Sequence, residues 1–268
     1  MDIGISIRNM GPQSSREIVA GAATASESMG FESICITDHI AIPPDDAEGS
    51  GGRYLDTLTT LAWIAGITTD IKLGSGVLIL PYRAALPTAK QVATVQELSG
   101  NRLLLGVGIG WMEAEFKVLG VDRRHRGHIS DETLAYLNAC FDDDVMSANG
   151  QDFLFKPRPP KPPILIGGRA PHALRRAVKY GDGWYPISRK SENLAPAIQK
   201  YHELSDAEGK EPGSITASTR LPLEDGTRTR DLLAEYRALG VDRLVCGFPY
   251  DTLEEFQECL EQLKAVLK

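Results

Sequence analysis

Between Lys72 and Trp111 the chain reads KLGSGVLILPYRAALPTAKQVATVQELSGNRLLLGVGIGW, and this stretch limits the possible fold more than any other. Residues 72–80 are apolar and β-branched, residues 86–98 carry apolar side chains at helical spacing, and residues 101–107 form a second apolar run. A strand, a helix and a second strand, with both strands apolar on both faces, make one βαβ unit of a covered parallel sheet. Glycines gather where the strands stop, and folds of this kind keep their chemistry at those ends.

The alternation runs the length of the chain. Further strands are predicted over 2–7, 33–37, 163–166, 183–186, 214–220 and 243–247. Helices are predicted over 14–29, 54–69, 129–141, 171–180, 191–208, 228–239 and 252–267. Eight strand–helix steps without a polar linker predict an α/β fold, a TIM (β/α)8 barrel, in one domain spanning 1–268. Two loops, 41–53 and 111–128, exceed the usual ~2–6 residues. Both follow a strand, so both belong to the catalytic face and shape the substrate pocket. Residues 142–162, which include FKPRPPKPP, precede a strand and read as an extended arm.

Composition narrows the partners. A net charge of −7 argues against binding duplex nucleic acid or an anionic membrane surface. No apolar run reaches the ~18 residues of a membrane span, and MDIGISIRNM lacks the pattern of a signal peptide. Cys35, Cys140, Cys246 and Cys259 form no C-x-x-C pair and read as reduced thiols of a cytoplasmic protein. The histidines, His39, His125, His128, His172 and His202, lack the paired strand-end spacing of a metal-dependent hydrolase, so no metal is expected.

Several residues are candidates for chemistry. His39 closes the second strand, where a barrel side chain faces the pocket and an imidazole can exchange a proton near neutral pH. Its neighbour Asp38 either orients it or braces the loop. Gly76, between Ser75 and Val77, marks either a bulge or a close approach to a ligand, or simply tight packing. Gly106, Gly108 and Gly110 look like a dinucleotide loop but do not follow G-x-G-x-x-G. They read instead as a strand end leaving room for a flat ring, with Trp111 as its wall or as a core residue. Gly167, Gly168 and Arg169, followed by Pro171 at a helix start, suit a phosphate; a plain turn is the alternative. Glu113 and Glu115, on the loop after Trp111, could act as acids, although exposed loop carboxylates are usually only solvated.

Five segments, TDHI at 37–40, KLGSGVLILPYR at 72–83, LSGNRLLLGVGIGW at 98–111, PILIGG at 163–168 and GDGWYP at 181–186, resemble the bacterial-luciferase-like superfamily of flavin and deazaflavin enzymes. The branch most resembled uses the deazaflavin coenzyme F420. The resemblance implies a TIM-type barrel, His39 near the reactive ring carbon with Asp38 beside it, and a bulge at Ser75, Gly76 and Val77 that holds a non-prolyl cis peptide behind the ring. It also implies a phosphate-side loop at Gly167, Gly168 and Arg169, and a homodimer. Trp111 stands where some deazaflavin dehydrogenases carry a glutamate acid. The expected activity is hydride transfer between F420 and a small organic substrate, with Val77, Ile109 and Trp111 excluding water. The alternatives are a monooxygenase using reduced FMN and oxygen, and a barrel that binds a flavin without catalysis.

Overall fold

The computed structural model describes residues 1–186 and 191–268. Strand β1 (Asp2–Ser6) leads to helix α1 (Arg16–Ser28), which begins where the Ser15 hydroxyl accepts from the Ile18 amide. β2 (Ser33–Ile36) and α2 (Thr57–Ala65) follow. The strand predicted over 72–80 is broken into β3 (Lys72–Ser75) and β4 (Leu78–Ile79), and then come α3 (Ala85–Leu98) and β5 (Leu103–Gly108). The stretch 111–128 is not an irregular loop. It holds a short helix, α4 (Glu113–Val118), and the first turn of α5 (Arg126–Asp142).

Residues 142–162 are not wholly an extended arm either. They contain an antiparallel hairpin, β6 (Val145–Ala148) and β7 (Gln151–Leu154), closed by Asn149 and Gly150 at φ 52° and 77°. Positive φ at both turn positions matches the right-handed twist of the strands, and Asn-Gly is the pair that tolerates it. The remaining elements are β8 (Ile164–Gly168), α6 (His172–Tyr180), β9 (Gly183–Pro186), α7 (Ala195–Ala207), β10 (Ser214–Arg220), α8 (Gly226–Ala238), β11 (Arg243–Gly247) and α9 (Leu253–Leu267).

The main sheet is parallel throughout, in the order β3-β2-β1-β11-β10-β9-β8-β5-β4, and it closes where β3 also pairs with β5. Because β3 and β4 occupy one position, these nine strands make an eight-position barrel. Alternate side chains point to opposite faces. Ile5, Ile34, Leu73, Leu103, Leu105, Ile164 and Ile166 face outward into the large core against the helices. Cys35, Leu104, Leu165, Tyr185 and Val245 fill the lumen as a second, smaller core. Below it, where the strands begin, Arg243 donates to both oxygens of Glu32 at 2.8 and 2.7 Å, and Lys72 donates to Glu32 at 2.8 Å. No helix among the described residues is long and apolar enough to cross a membrane.

Candidate active site

The break between β3 and β4 builds one wall of the barrel mouth. Ser75 lies opposite Ile36, the Gly76 amide donates to the Ile36 carbonyl at 2.8 Å, and the Gly76–Val77 peptide is cis and non-prolyl. The chain bulges toward the lumen, and glycines on the neighbouring strands make room for it. A Cβ on Gly106 would overlap the Ser75 carbonyl oxygen, and one on Gly108 would lie 2.6 Å from Val77 Cγ2. One on Gly167 would lie 3.0 Å from Val77 Cγ1 and 2.8 Å from the Val107 carbonyl oxygen. This corrects the reading that Gly106 and Gly108 leave space for a ring: the bulge of this same chain occupies that space. Gly110, at φ 74°, backs onto Ile79 and Phe116 rather than onto an open pocket. With Val77 turned down over Gly108 and Gly167, and no side chain on Gly76, the half-buried bulge presents bare backbone at the mouth.

Asp38 and His39 part company at the end of β2. Asp38 is buried, and Arg83 grips it with two hydrogen bonds of 2.7 Å. It also accepts from the Ile79 amide at 2.8 Å and the Thr57 hydroxyl at 2.9 Å. All of its partners lie on the bulge exit and on α2, so Asp38 braces the loop and does not orient His39. That correction follows from alternation, since consecutive residues leave an extended strand on opposite sides.

The group that orients His39 is Glu115, which the sequence offered as a loop acid or a solvated carboxylate and not as a partner of the histidine. Its side chain is 0% exposed, and Oε2 lies 2.7 Å from His39 Nδ1. Oε1 accepts from the Ile40 and Ala41 amides at 2.7 and 3.0 Å, and the Tyr82 hydroxyl donates to Oε2 at 3.0 Å. Burial alone would raise the Glu115 pKa, but the two amides and His39 outweigh it and hold the carboxyl below its ordinary value. Tyr82 is pushed upward by its own burial and by the Glu115 charge, so it stays a donor. An ionised carboxylate can only accept hydrogen bonds, so His39 Nδ1 carries a hydrogen. In the neutral ring Nε2 is then left as a lone pair. Nothing in MEAEF announces this role: α4 turns the 115 position inward, and only the closed barrel brings it to a residue 76 positions earlier.

Aromatic rings surround His39. Tyr54 lies 4.9 Å away between centroids, and Trp111 stands edge-on at 6.3 Å. Trp111 is 65% exposed, so it is neither core nor a sealed wall; it stands at the rim. Gly167 is buried at the end of β8 and Gly168 follows at φ 136°, its carbonyl accepting from Trp184 Nε1 at 3.0 Å. Arg169 is exposed ahead of α6, and Ala170–Pro171 is cis. A concavity of about 450 Å³, lined by Asn138, Lys161, Asp182, Tyr201 and Lys210 among others, sits where the strands begin, at the far end from His39. Its Lys161 and Lys210 are engaged by Asp182 and by the Val178 carbonyl, which suits the stabilising end of a barrel better than the reacting one.

Comparison with known proteins agrees with this architecture. An uncharacterized protein of Mycobacterium tuberculosis is 31% identical over 206 residues, covering 70% of this chain and 71% of its own. A crystal structure of the monooxygenase RslO1 from Streptomyces bottropensis superposes with a TM-score of 0.83 at 17% identity, covering 100% and 98% of the two chains. An F420-dependent secondary alcohol dehydrogenase in complex with an F420–acetone adduct superposes with a TM-score of 0.80 at 14% identity, covering 100% and 99%. The luciferase-like monooxygenase family profile matches residues 2–266, and the chain belongs to that family of oxidoreductases.

Proposed function

We propose that this chain is an F420-dependent oxidoreductase that moves a hydride between the deazaflavin and a small organic substrate. The observation that carries the reading is His39, held at the mouth by a buried Glu115 beside the bare bulge of Gly76 and Val77. The residues present suit such a cofactor. A flat ring needs a floor free of side chains, and the bulge offers one; an anionic tail needs a cation and backbone amides, and Gly167, Gly168 and Arg169 ahead of α6 supply that chemistry.

Bound F420 supplies the hydride chemistry at its ring. His39, with Nδ1–H fixed on Glu115, presents Nε2 as the acceptor that takes a proton from the substrate and returns it. The Tyr54 and Trp111 rings pack beside the imidazole at the mouth. The F420–acetone adduct in the similar dehydrogenase supports the cofactor class, and the monooxygenase among the similar structures marks the reading that would replace it, reduced FMN with oxygen.

His39→Ala separates binding from chemistry. Cofactor binding is expected to persist while turnover falls about 10²-fold or more, the usual effect of removing a positioned acid–base group. Unchanged turnover would remove His39 from the mechanism.

A further inference from the structure

We propose that Arg8, with Arg220 two strands away, seats an anionic group of the substrate, a carboxylate, on the side of the mouth facing β8; this rests on the reading of the site given above. Strand parity places both arginines. On β1, Ile3, Ile5 and Ile7 pack outward, whereas a Cβ on Gly4 would lie 3.5 Å from Val245 of the lumen core. Ser6 continues that inward series, its Cβ 3.7 Å from the Cβ position of Gly247, and Arg8 is next. The Ile7 amide still bonds the Cys35 carbonyl at 2.9 Å, so the extended ladder reaches Arg8. On β10, Ile215 and Ala217 face outward, Ser218 meets the lumen residue Tyr185, and Arg220 is the next inward position at the strand's end. Arg220 is in register with Gly247 of β11, and Ser6 of β1 is level with the same glycine, so Arg8 stands one inward position above Arg220 and two strands away. In the closed ring β1 lies four strands from β8 in either direction. Arg8 therefore stands opposite Arg169, and the two ends of the mouth are set for two different anions.

Arg8 also lacks what a structural arginine has. A guanidinium carries several N–H donors and a permanent charge. Among the described residues no carboxylate pairs with Arg8, although Asp45, Asp46 and Glu48 sit exposed on the adjacent loop. Its Nε is buried with no acceptor, and Nη2 makes one long contact of 3.4 Å to the Gly49 carbonyl. By contrast Arg83 and Arg243 each grip a carboxylate with two nitrogens, and Arg102 donates to four backbone carbonyls. The backbone around Arg8 is fixed. Its amide donates to the Tyr250 hydroxyl at 2.8 Å, and the next residue, Asn9, is 0% exposed and bonds Thr37 and Leu55. Met10 bridges to Tyr54, whose ring packs on His39 and feels the Arg8 charge, so Arg8 belongs to the same stretch of the mouth as the proposed proton acceptor. A half-buried cation on a fixed backbone with an empty donor edge is suited to a planar oxyanion.

The test compares hexanoate with hexanamide, equal in shape and different in charge, by calorimetric titration of the cofactor-loaded protein. The wild type is expected to bind hexanoate about tenfold more tightly. Arg8→Met should erase the preference, Arg8→Lys should keep part of it, and F420 affinity should stay within about twofold in both. Equal binding of the two probes by the wild type overturns the proposal without reference to any variant's folding. So does a preference that survives in folded Arg8→Met, or a loss of F420 affinity in that variant, which would give the anion seat to the cofactor. If neither F420 nor FMN binds while the charge preference persists in the cofactor-free protein, the anion seat stands and the proposed function fails.

Discussion

Glu115→Gln changes one atom and should invert the chemistry of His39. The side chain keeps its volume, and its oxygen can still accept from the Ile40 and Ala41 amides, now 2.7 and 3.0 Å away. The new NH2 group falls where Oε2 meets His39 Nδ1 and the Tyr82 hydroxyl, and it donates where the carboxylate accepted. Nδ1 must then become the lone pair and Nε2 must take the hydrogen. Replacing a charge-assisted hydrogen bond of about 1.5–3 kcal/mol by a neutral one of about 0.5–1.5 kcal/mol predicts a stability loss of about 1–2 kcal/mol. The protein should fold, while the ring faces the mouth with a donor instead of an acceptor. Nitrogen-15 NMR of the histidine side chains reads the tautomer directly, and urea denaturation reads the stability. Identical His39 ring-nitrogen shifts in the two proteins would refute the claim that Glu115 sets the proton position. A collapse of the fold would show that its main role is to hold the loop at Ile40 and Ala41.

Two further perturbations test the frame around the site. Gly108→Ala places a Cβ 2.6 Å from Val77 Cγ2 and should cost about 1–3 kcal/mol by overpacking, most of it recovered when Val77→Ala is added; additive losses in the double mutant would mean that the bulge does not rest on Gly108. Burial works to raise the Glu32 pKa, but Arg243 and Lys72 overcome it and bring the pKa from 4.5 down to about 2. A lowered folded pKa stabilises above the unfolded value and is lost as pH falls through the folded one, so Glu32 should contribute about 3 kcal/mol near neutrality that fades between pH 4.5 and 2. Glu32→Gln should therefore be much less stable than the wild type at pH 6 and close to it near pH 2 by chemical denaturation. A gap that does not narrow with acid would contradict the assignment.

Most of the barrel is legible in the sequence because its signals are local. Apolar runs such as LLLGVG in β5 and SICI in β2 fit only strands covered on both faces, and the helices between them carry their own periodicity. The hairpin β6–β7 also had a local signal in Asn149-Gly150, masked by the proline-rich segment that follows. What stayed hidden is non-local. The partners of Asp38 and Glu115 lie 19–45 and 33–76 positions away, and only the closed barrel shows that Asp38 braces the loop while Glu115 orients His39. The glycines at 106, 108 and 167 were visible as a need for space, but only the course of the bulge shows that the chain itself takes it.

Equilibrium titration of the purified protein with F420 and, separately, with FMN decides which cofactor the site takes. Saturable binding of F420 is expected in the micromolar range, weakened by Arg169→Met and not by Arg8→Met, with FMN at least about tenfold weaker, a gap of about 1.4 kcal/mol. Micromolar binding of FMN with no binding of F420 would contradict it and turn the same site toward oxygen chemistry.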